Sequence, residues 1–171
     1  MPNIKTDLLV IGAGSGGLSV ASGAAQMGAD VVLLEGHRMG GDCLNYGCVP
    51  SKALLASAKV AHTQAHAAAF GIADAIPQVD YGAVKDHVAD VITQIEPNDS
   101  VERFESMGVR VIPEYGSFLS PTEVQAGEHT FVARRIVIAT GSSPFVPPIP
   151  GLENVSYLTN ETLFELREKP D

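Results

Sequence analysis

The feature that most restricts this chain is the glycine spacing in "TDLLVIGAGSGGLSVASGAAQMGADVVLLE", which begins at Thr6. Residues 8–11 form a continuous apolar run, the pattern of a strand covered on both faces. Gly12, Gly14 and Gly17 follow with G-x-G-x-x-G spacing. The first glycine permits a sharp turn, the second lets a pyrophosphate approach bare backbone, and the third lets the next helix pack closely on the strand. The Ala- and Gly-rich stretch after them predicts a helix over about residues 16–27, whose N-terminus offers free amides and the positive end of its dipole. A second strand over residues 31–34 runs into Glu35, where an acid can take two ribose hydroxyls and repel a ribose 2′-phosphate. The basic pair His37 and Arg38 comes just after it. Strand, turn, helix, strand and acid together predict a dinucleotide site, and they suit FAD and NAD equally.

Both cysteines of the chain, Cys43 and Cys48, lie in "GGDCLNYGCVPSK", residues 40–52. The surrounding Gly, Asp, Asn and Pro read as a loop, which disfavours two small buried apolar residues. A zinc clip needs about four ligands, and His37 and Asp42 do not complete a usual spacing. The pair is not C-x-x-C either. The remaining reading is a redox dithiol, with Gly47 giving the freedom to close it. Pro50 suits a first helical turn, and the Ala-rich run after it predicts a helix. Cys48 is then expected just before a helix N-terminus with Lys52 one turn in, both of which favour a thiolate. A nucleotide-binding module with a redox-sensing, non-catalytic thiol pair fits the same residues.

Composition narrows the classes further. The chain has 171 residues, 45% of them hydrophobic, enough for a packed core. A formal charge of −9 and the absence of Trp argue against a nucleic-acid surface. No apolar run reaches the roughly 18 residues of a membrane span. The opening residues enter a strand-like run at once, which leaves no room for a signal or transit peptide and predicts a soluble cytoplasmic protein. Two cysteines are too few for a secreted disulfide scaffold.

Beyond the Ala-rich helix, residues 71–80 read as a loop. Residues 81–108 show helical periodicity broken at Pro97, hence two helices or one kinked helix. Residues 109–112 read as a strand that rejoins the parallel sheet. Residues 118–132 read as a small antiparallel meander turning at Gly127-Glu128, and residues 135–139 as a further buried strand ending at Thr140-Gly141. His62 and His66 are four apart on a helix without a third ligand and read as helix surface, so no metal site is expected. Asp99, Glu102 and Glu105 read as a solvated face. The Pro-rich "PFVPPIPG" marks a boundary. There is no internal repeat.

Three segments, "VIGAGSGG", "GGDCLNYGCVPSK" and "RIVIATGSSPFVPPIPG", in this order, resemble the pyridine nucleotide–disulfide oxidoreductases over nearly the whole chain. "GCVPSKALL" is most similar to dihydrolipoamide dehydrogenases and their mercuric-reductase-like relatives. The resemblance implies an α/β fold: a Rossmann-type FAD-binding domain whose central parallel sheet is flanked by helices and carries a small antiparallel meander. It divides the chain into an FAD-binding domain over residues 1–146 and, over 147–171, a linker leading into an NAD(P)H-binding domain. It implies FAD at the first site, with Gly12, Gly14, Ser15, Gly16 and Gly17 on the pyrophosphate and Glu35 on the adenosine ribose. Gly36 and Gly116 join the cofactor contacts, Gly116 following a segment that contacts the adenine, Gly41, Asp42 and Lys52 lie along the flavin end, and Ala139, Thr140 and Gly141 cross close to FAD. Many relatives carry Thr where Asp42 stands. Cys48 would be the charge-transfer thiolate against the flavin, Cys43 the sulfur that exchanges with substrate, and Lys52 a stabiliser of charge on the reduced ring. NAD(P)H would be the electron source, a small disulfide or a metal ion the acceptor, and a homodimer the assembly. Relatives are longer, so the chain reads as an N-terminal fragment, inactive alone and holding FAD weakly.

Overall fold

The computed structural model describes residues 3–170, and these divide into two compact units. The first comprises the described residues up to Asn45 together with Ile95–Ser142, and it contains every strand among the described residues. Its elements are β1 (Asn3–Ile11), α1 (Ser15–Gln26), β2 (Val31–Leu34), α2 (Gly41–Asn45), a 3-10 turn (Glu96–Asp99), α5 (Val101–Ser106), β3 (Val109–Ile112), β4 (Gly116–Ser120), β5 (Glu123–Ala126) and β6 (His129–Ile138). The second comprises Tyr46–Gln94 with the chain from Ser143 onward, and it holds α3 (Cys48–Ala65), α4 (Tyr81–Ile95, whose last residue crosses the division) and α6 (Asn160–Leu163).

The sheet of the first unit has six strands in the order β3-β2-β1-β6-β5-β4. The four strands β3, β2, β1 and β6 are parallel, while β5 runs antiparallel to both β6 and β4. This is the mixed α/β architecture expected, with the meander at one edge. The chain leaves β1 toward β2 on one side and returns through β6 on the other, so the strand order reverses beside β1. In open α/β sheets that reversal opens a crevice at the carboxyl ends of the strands.

Apolar content explains why β1 and β2 lie inside the sheet and not at its edge. All four residues of β2 are buried, as are Leu9, Val10 and Ile11 of β1, because both faces of the sheet are covered. On one face Val10, Val31, Leu33, Val109 and Val111 pack with Leu18 and Ala21 of α1 and Phe104 of α5. On the other, Leu9, Ile11, Val32 and Leu34 pack with Val124, Ala126, Phe131 and Ala133 of the antiparallel part.

Three local readings need correction. The third meander strand and the segment 135–139 are one ten-residue strand, β6, paired with β1 from Asn3↔Thr130 to Ile11↔Ile138. No Gly or Pro interrupts it, and its second half is not buried as expected: Ile138 is 66% exposed. The stretch before Cys48 is not all loop, since residues 41–45 close a helical turn, α2. Asn45 holds that turn, its side-chain amide donating to the carbonyls of Met39 (3.1 Å) and Gly41 (2.9 Å). Asp99 does not share the solvated face of Glu102 and Glu105. It is half-buried with its carboxylate toward Gly40; burial pushes this carboxyl above its ordinary range and Arg103 holds it back. The break at Pro97 resolves into two helices separated by a 3-10 turn, and the Ser100 hydroxyl caps the second by accepting from the Arg103 amide at 3.3 Å.

In the second unit, α4 meets the C-terminal segment at two points. Asp86 pairs with Arg167 at 2.7 Å, and Lys85 lies 5.5 Å from the centre of the Phe164 ring. The His62 and His66 rings stack at 4.2 Å, with His66 at the C-cap of α3. Among the described residues, no helix is long and apolar enough to cross a membrane.

Candidate cofactor and dithiol site

The glycine turn sits at the carboxyl end of β1, in the crevice beside the strand-order reversal. The Gly12 amide donates to Leu34 at the end of β2 (2.8 Å), and the Ala139 amide donates to Ile11 at the end of β1 (2.8 Å). Gly12 has φ +101°, and a Cβ there would collide with the Ala139 carbonyl, so this position excludes a side chain on two grounds. Gly17 has no room either: its Cβ would strike the Gly12 carbonyl, which is the close helix–strand approach the spacing predicted.

Gly14 and Gly16 behave differently. A Cβ on Gly16 would meet nothing within 4 Å, and one on Gly14 only Gly41 Cα at 3.9 Å. Gly14 is the N-cap of α1; no side chain caps the helix, and its first turn has no acidic residue. Bare backbone and an uncapped helix N-terminus therefore stand together on the open side of the turn, with Ser15 and Gly16 exposed. This cradle fits the diphosphate of a dinucleotide.

Glu35 directly follows β2. One carboxylate oxygen accepts from the Ala13 amide at 2.7 Å and the other from the His37 amide at 2.8 Å. The residue assigned to a ribose thus also ties the glycine turn to the end of the second strand. Each oxygen keeps a further lone-pair direction for a hydroxyl.

Gly40, absent from the sequence-derived site, joins the cysteine segment to this turn. Its amide donates to the Ala13 carbonyl at 2.9 Å, and Gly14 and Gly40 form an isolated parallel bridge. Gly41 has φ +56°, and its Cβ would lie 2.6 Å from Gly14 Cα. The Gly40-Gly41 dipeptide was the available signal, since paired glycines mark positions of unusual backbone or close approach.

Cys43 is half-buried in α2, and Asp42 beside it is exposed. Cys48 is exposed and is the first residue of the 18-residue α3, after Gly47 as N-cap. The Ser51 amide closes the first turn onto the Gly47 carbonyl at 3.1 Å, Pro50 is buried within that turn, and Lys52 is exposed one turn on from Cys48. Cys43 belongs to the first unit and Cys48 to the second.

Ala139, Thr140 and Gly141 follow β6 beside the turn, Gly141 with φ +66°. Gly36 and Gly116 have packing reasons to lack side chains. A Cβ on Gly36 would lie 2.5 Å from the Tyr115 ring, and one on Gly116 2.9 Å from Leu34. No group of three or more His, Cys, Asp or Glu side chains placed to hold a metal occurs among the described residues.

Comparison with known proteins gives the class of a chain that places two closely spaced cysteines after such a glycine turn. Residues 6–171 match the model of the family described as pyridine nucleotide-disulphide oxidoreductase, and the chain belongs to that family. It is 35% identical over 168 residues to dihydrolipoyl dehydrogenase 2, chloroplastic, of Arabidopsis thaliana, covering 96% of this chain and 30% of that protein. It is 32% identical over 169 residues to a mercuric reductase of Bacillus cereus, covering 99% of this chain and 27% of that protein. The chain thus spans about a third or less of the length of these relatives. Among solved structures, a Cu(II) complex of the HOCl-induced flavoprotein disulfide reductase RclA from Escherichia coli superposes with a TM-score of 0.77. It is 23% identical, and the match covers 95% of this chain and 34% of that one.

Proposed function

We propose that this chain is the FAD-binding and dithiol-bearing part of an NAD(P)H-dependent flavoprotein oxidoreductase that reduces a small disulfide of the lipoamide type or a metal ion. The observation that supports this reading is the seating of Gly40 and Gly41 on the glycine turn, which brings the segment leading into Cys43 against that turn. Relatives named for lipoyl and for mercuric substrates support the two acceptor classes.

Residues 12, 14, 15, 16 and 17 would hold the diphosphate of FAD and Glu35 its ribose. Gly36, Gly116, Ala139, Thr140 and Gly141 would complete the wall, and Gly41, Asp42 and Lys52 would lie toward the flavin. When bound, FAD supplies two-electron exchange between NAD(P)H and the dithiol. The protein residues carry the rest. The Cys43–Cys48 disulfide takes up two electrons and two protons and becomes a dithiol. Cys43 sulfur then attacks the substrate disulfide, forming a mixed disulfide and releasing one substrate thiol. Cys48 sulfur attacks Cys43, restoring the protein disulfide and releasing the second thiol. With a metal ion as acceptor, the same two electrons pass to the bound cation and the disulfide reforms. Turnover belongs to the whole homodimeric protein, in the cytoplasm, and the chain alone is expected to be inactive.

The test uses the whole protein. Anaerobic NAD(P)H should raise the count of titratable thiols by two per subunit. Cys43→Ser and Cys48→Ser should each abolish disulfide or metal reduction while NAD(P)H oxidation by ferricyanide persists. Full substrate reduction by Cys48→Ser would refute the assignment.

A further inference from the structure

His62 and His66 lie one helical turn apart at the C-terminal end of α3, and both are exposed. Their rings stack with centres 4.2 Å apart and planes tilted by 19°. His66 Nδ1 lies 2.9 Å from the His62 carbonyl oxygen. A carbonyl only accepts, so Nδ1 carries the hydrogen, and in the neutral ring Nε2 carries the lone pair. Metal-binding histidines are oriented in this way, one ring nitrogen donating to a carbonyl and the other left to the ion. Closing the end of α3 uses His66 alone and gives no reason for a second imidazole against it.

Both rings also stand at the end of an 18-residue helix, where its dipole is negative and favours a cation. Rings this close need only a small rotation of His62 for both Nε2 atoms to approach one ion at about 2.0–2.1 Å. Imidazole nitrogens suit the late first-row divalent ions. We propose that His62 and His66 form a two-point site for such an ion, zinc(II), nickel(II) or copper(II), on the exposed side of α3. The spacing of the two residues does not announce this site; the hydrogen bond that fixes the His66 ring does. No third His, Cys, Asp or Glu completes the set among the described residues, so water takes the remaining positions on the ion. Lys59, one turn before His62, is exposed, and solvent screens its charge. The pair lies roughly 20 Å along the helix from Cys48, so the site is separate from the dithiol and does not depend on the cofactor reading.

The test is a titration of this chain with zinc sulfate, both thiols first blocked with iodoacetamide, followed by nitrogen NMR shifts of the imidazole rings. Zinc should shift the Nε2 signals of His62 and His66 together and saturate at one ion per chain, while His37, His87 and His129 stay in place. His62→Ala and His66→Ala should each weaken zinc about tenfold or more, because the second imidazole binds at the high effective concentration the helix provides. His62→Phe keeps a ring against His66 but removes the ligand, and it should lose affinity to the same extent, which a purely stacking role would not produce. His87→Ala, on α4, should bind zinc as the native chain does. Both histidines are exposed, so circular dichroism of the zinc-free variants should match the native chain. If His62→Ala binds zinc as tightly as the native chain, or zinc shifts one ring without the other, the site is overturned.

Discussion

The Ala13 amide donates to the Glu35 carboxylate at 2.7 Å, linking the glycine turn after β1 to the residue that ends β2. The other carboxylate oxygen holds the His37 amide at 2.8 Å. Glu35→Gln keeps one acceptor oxygen and replaces the other with a donor, so one of the two amides loses its partner. Hydrogen bonds to a charged acceptor contribute about 1.5–3 kcal/mol, so urea unfolding should show a loss of about 1–2 kcal/mol. A midpoint unchanged from the native chain would mean the tie contributes nothing to stability.

The glycines of the turn should separate into two groups. Gly17→Ala forces a methyl into the Gly12 carbonyl and should cost about 2 kcal/mol or more, read as a lowered melting temperature. Gly16→Ala meets open space on a helix and should be neutral or stabilising by up to about 1 kcal/mol. Equal melting temperatures for the two variants would contradict the turn geometry.

Exposure should rank the two thiols. Cys48 is exposed at the start of α3 and Cys43 is half-buried in α2. In this chain without cofactor and under reducing conditions, iodoacetamide should therefore label Cys48 first, as followed by peptide mass spectrometry. Preferential labelling of Cys43 would count against this arrangement.

Lys85 is 3% exposed, and its Nζ has no hydrogen-bond partner among the described residues. Burial, and then the nearby charge of Arg167, hold its pKa below the ordinary lysine value. The unfolded chain therefore binds this proton more readily than the folded one, and stability rises with pH through the window between the lowered folded value and about 10.4. Lys85→Met should stabilise the chain at neutral pH by about 1 kcal/mol, since a buried charge without an anionic partner is replaced by an apolar side chain of similar length. That advantage should shrink as the pH approaches about 10. Denaturant midpoints at several pH values would check both points, and a gain that did not depend on pH would show that the charge is not its source.

Local pattern carried much of the architecture. The apolar runs at residues 8–11, 31–34 and 109–112 are strands, because segments buried on both faces cannot alternate with polar residues. The helix after the turn and the meander's reversal at Gly127 were also legible, since Ala-rich runs and glycines at positive φ act within a few residues. Strand β6 is not legible in this way. Its two halves differ in burial, and only its pairing with β1 shows that they are one strand.

The sequence alone thus determined the glycine turn, the acid after the second strand and the close pair of cysteines, because spacing along the chain encodes these. Tertiary structure decided what each one touches. Ala139 reaches Ile11 and Gly12 only through the register of β6 on β1, Glu35 reaches Ala13 only through that of β2 on β1, and Tyr115 reaches Gly36 only because β3 lies beside β2. Which strand pairs with which follows from burying both faces of the whole sheet at once, and no window of neighbouring residues contains that information.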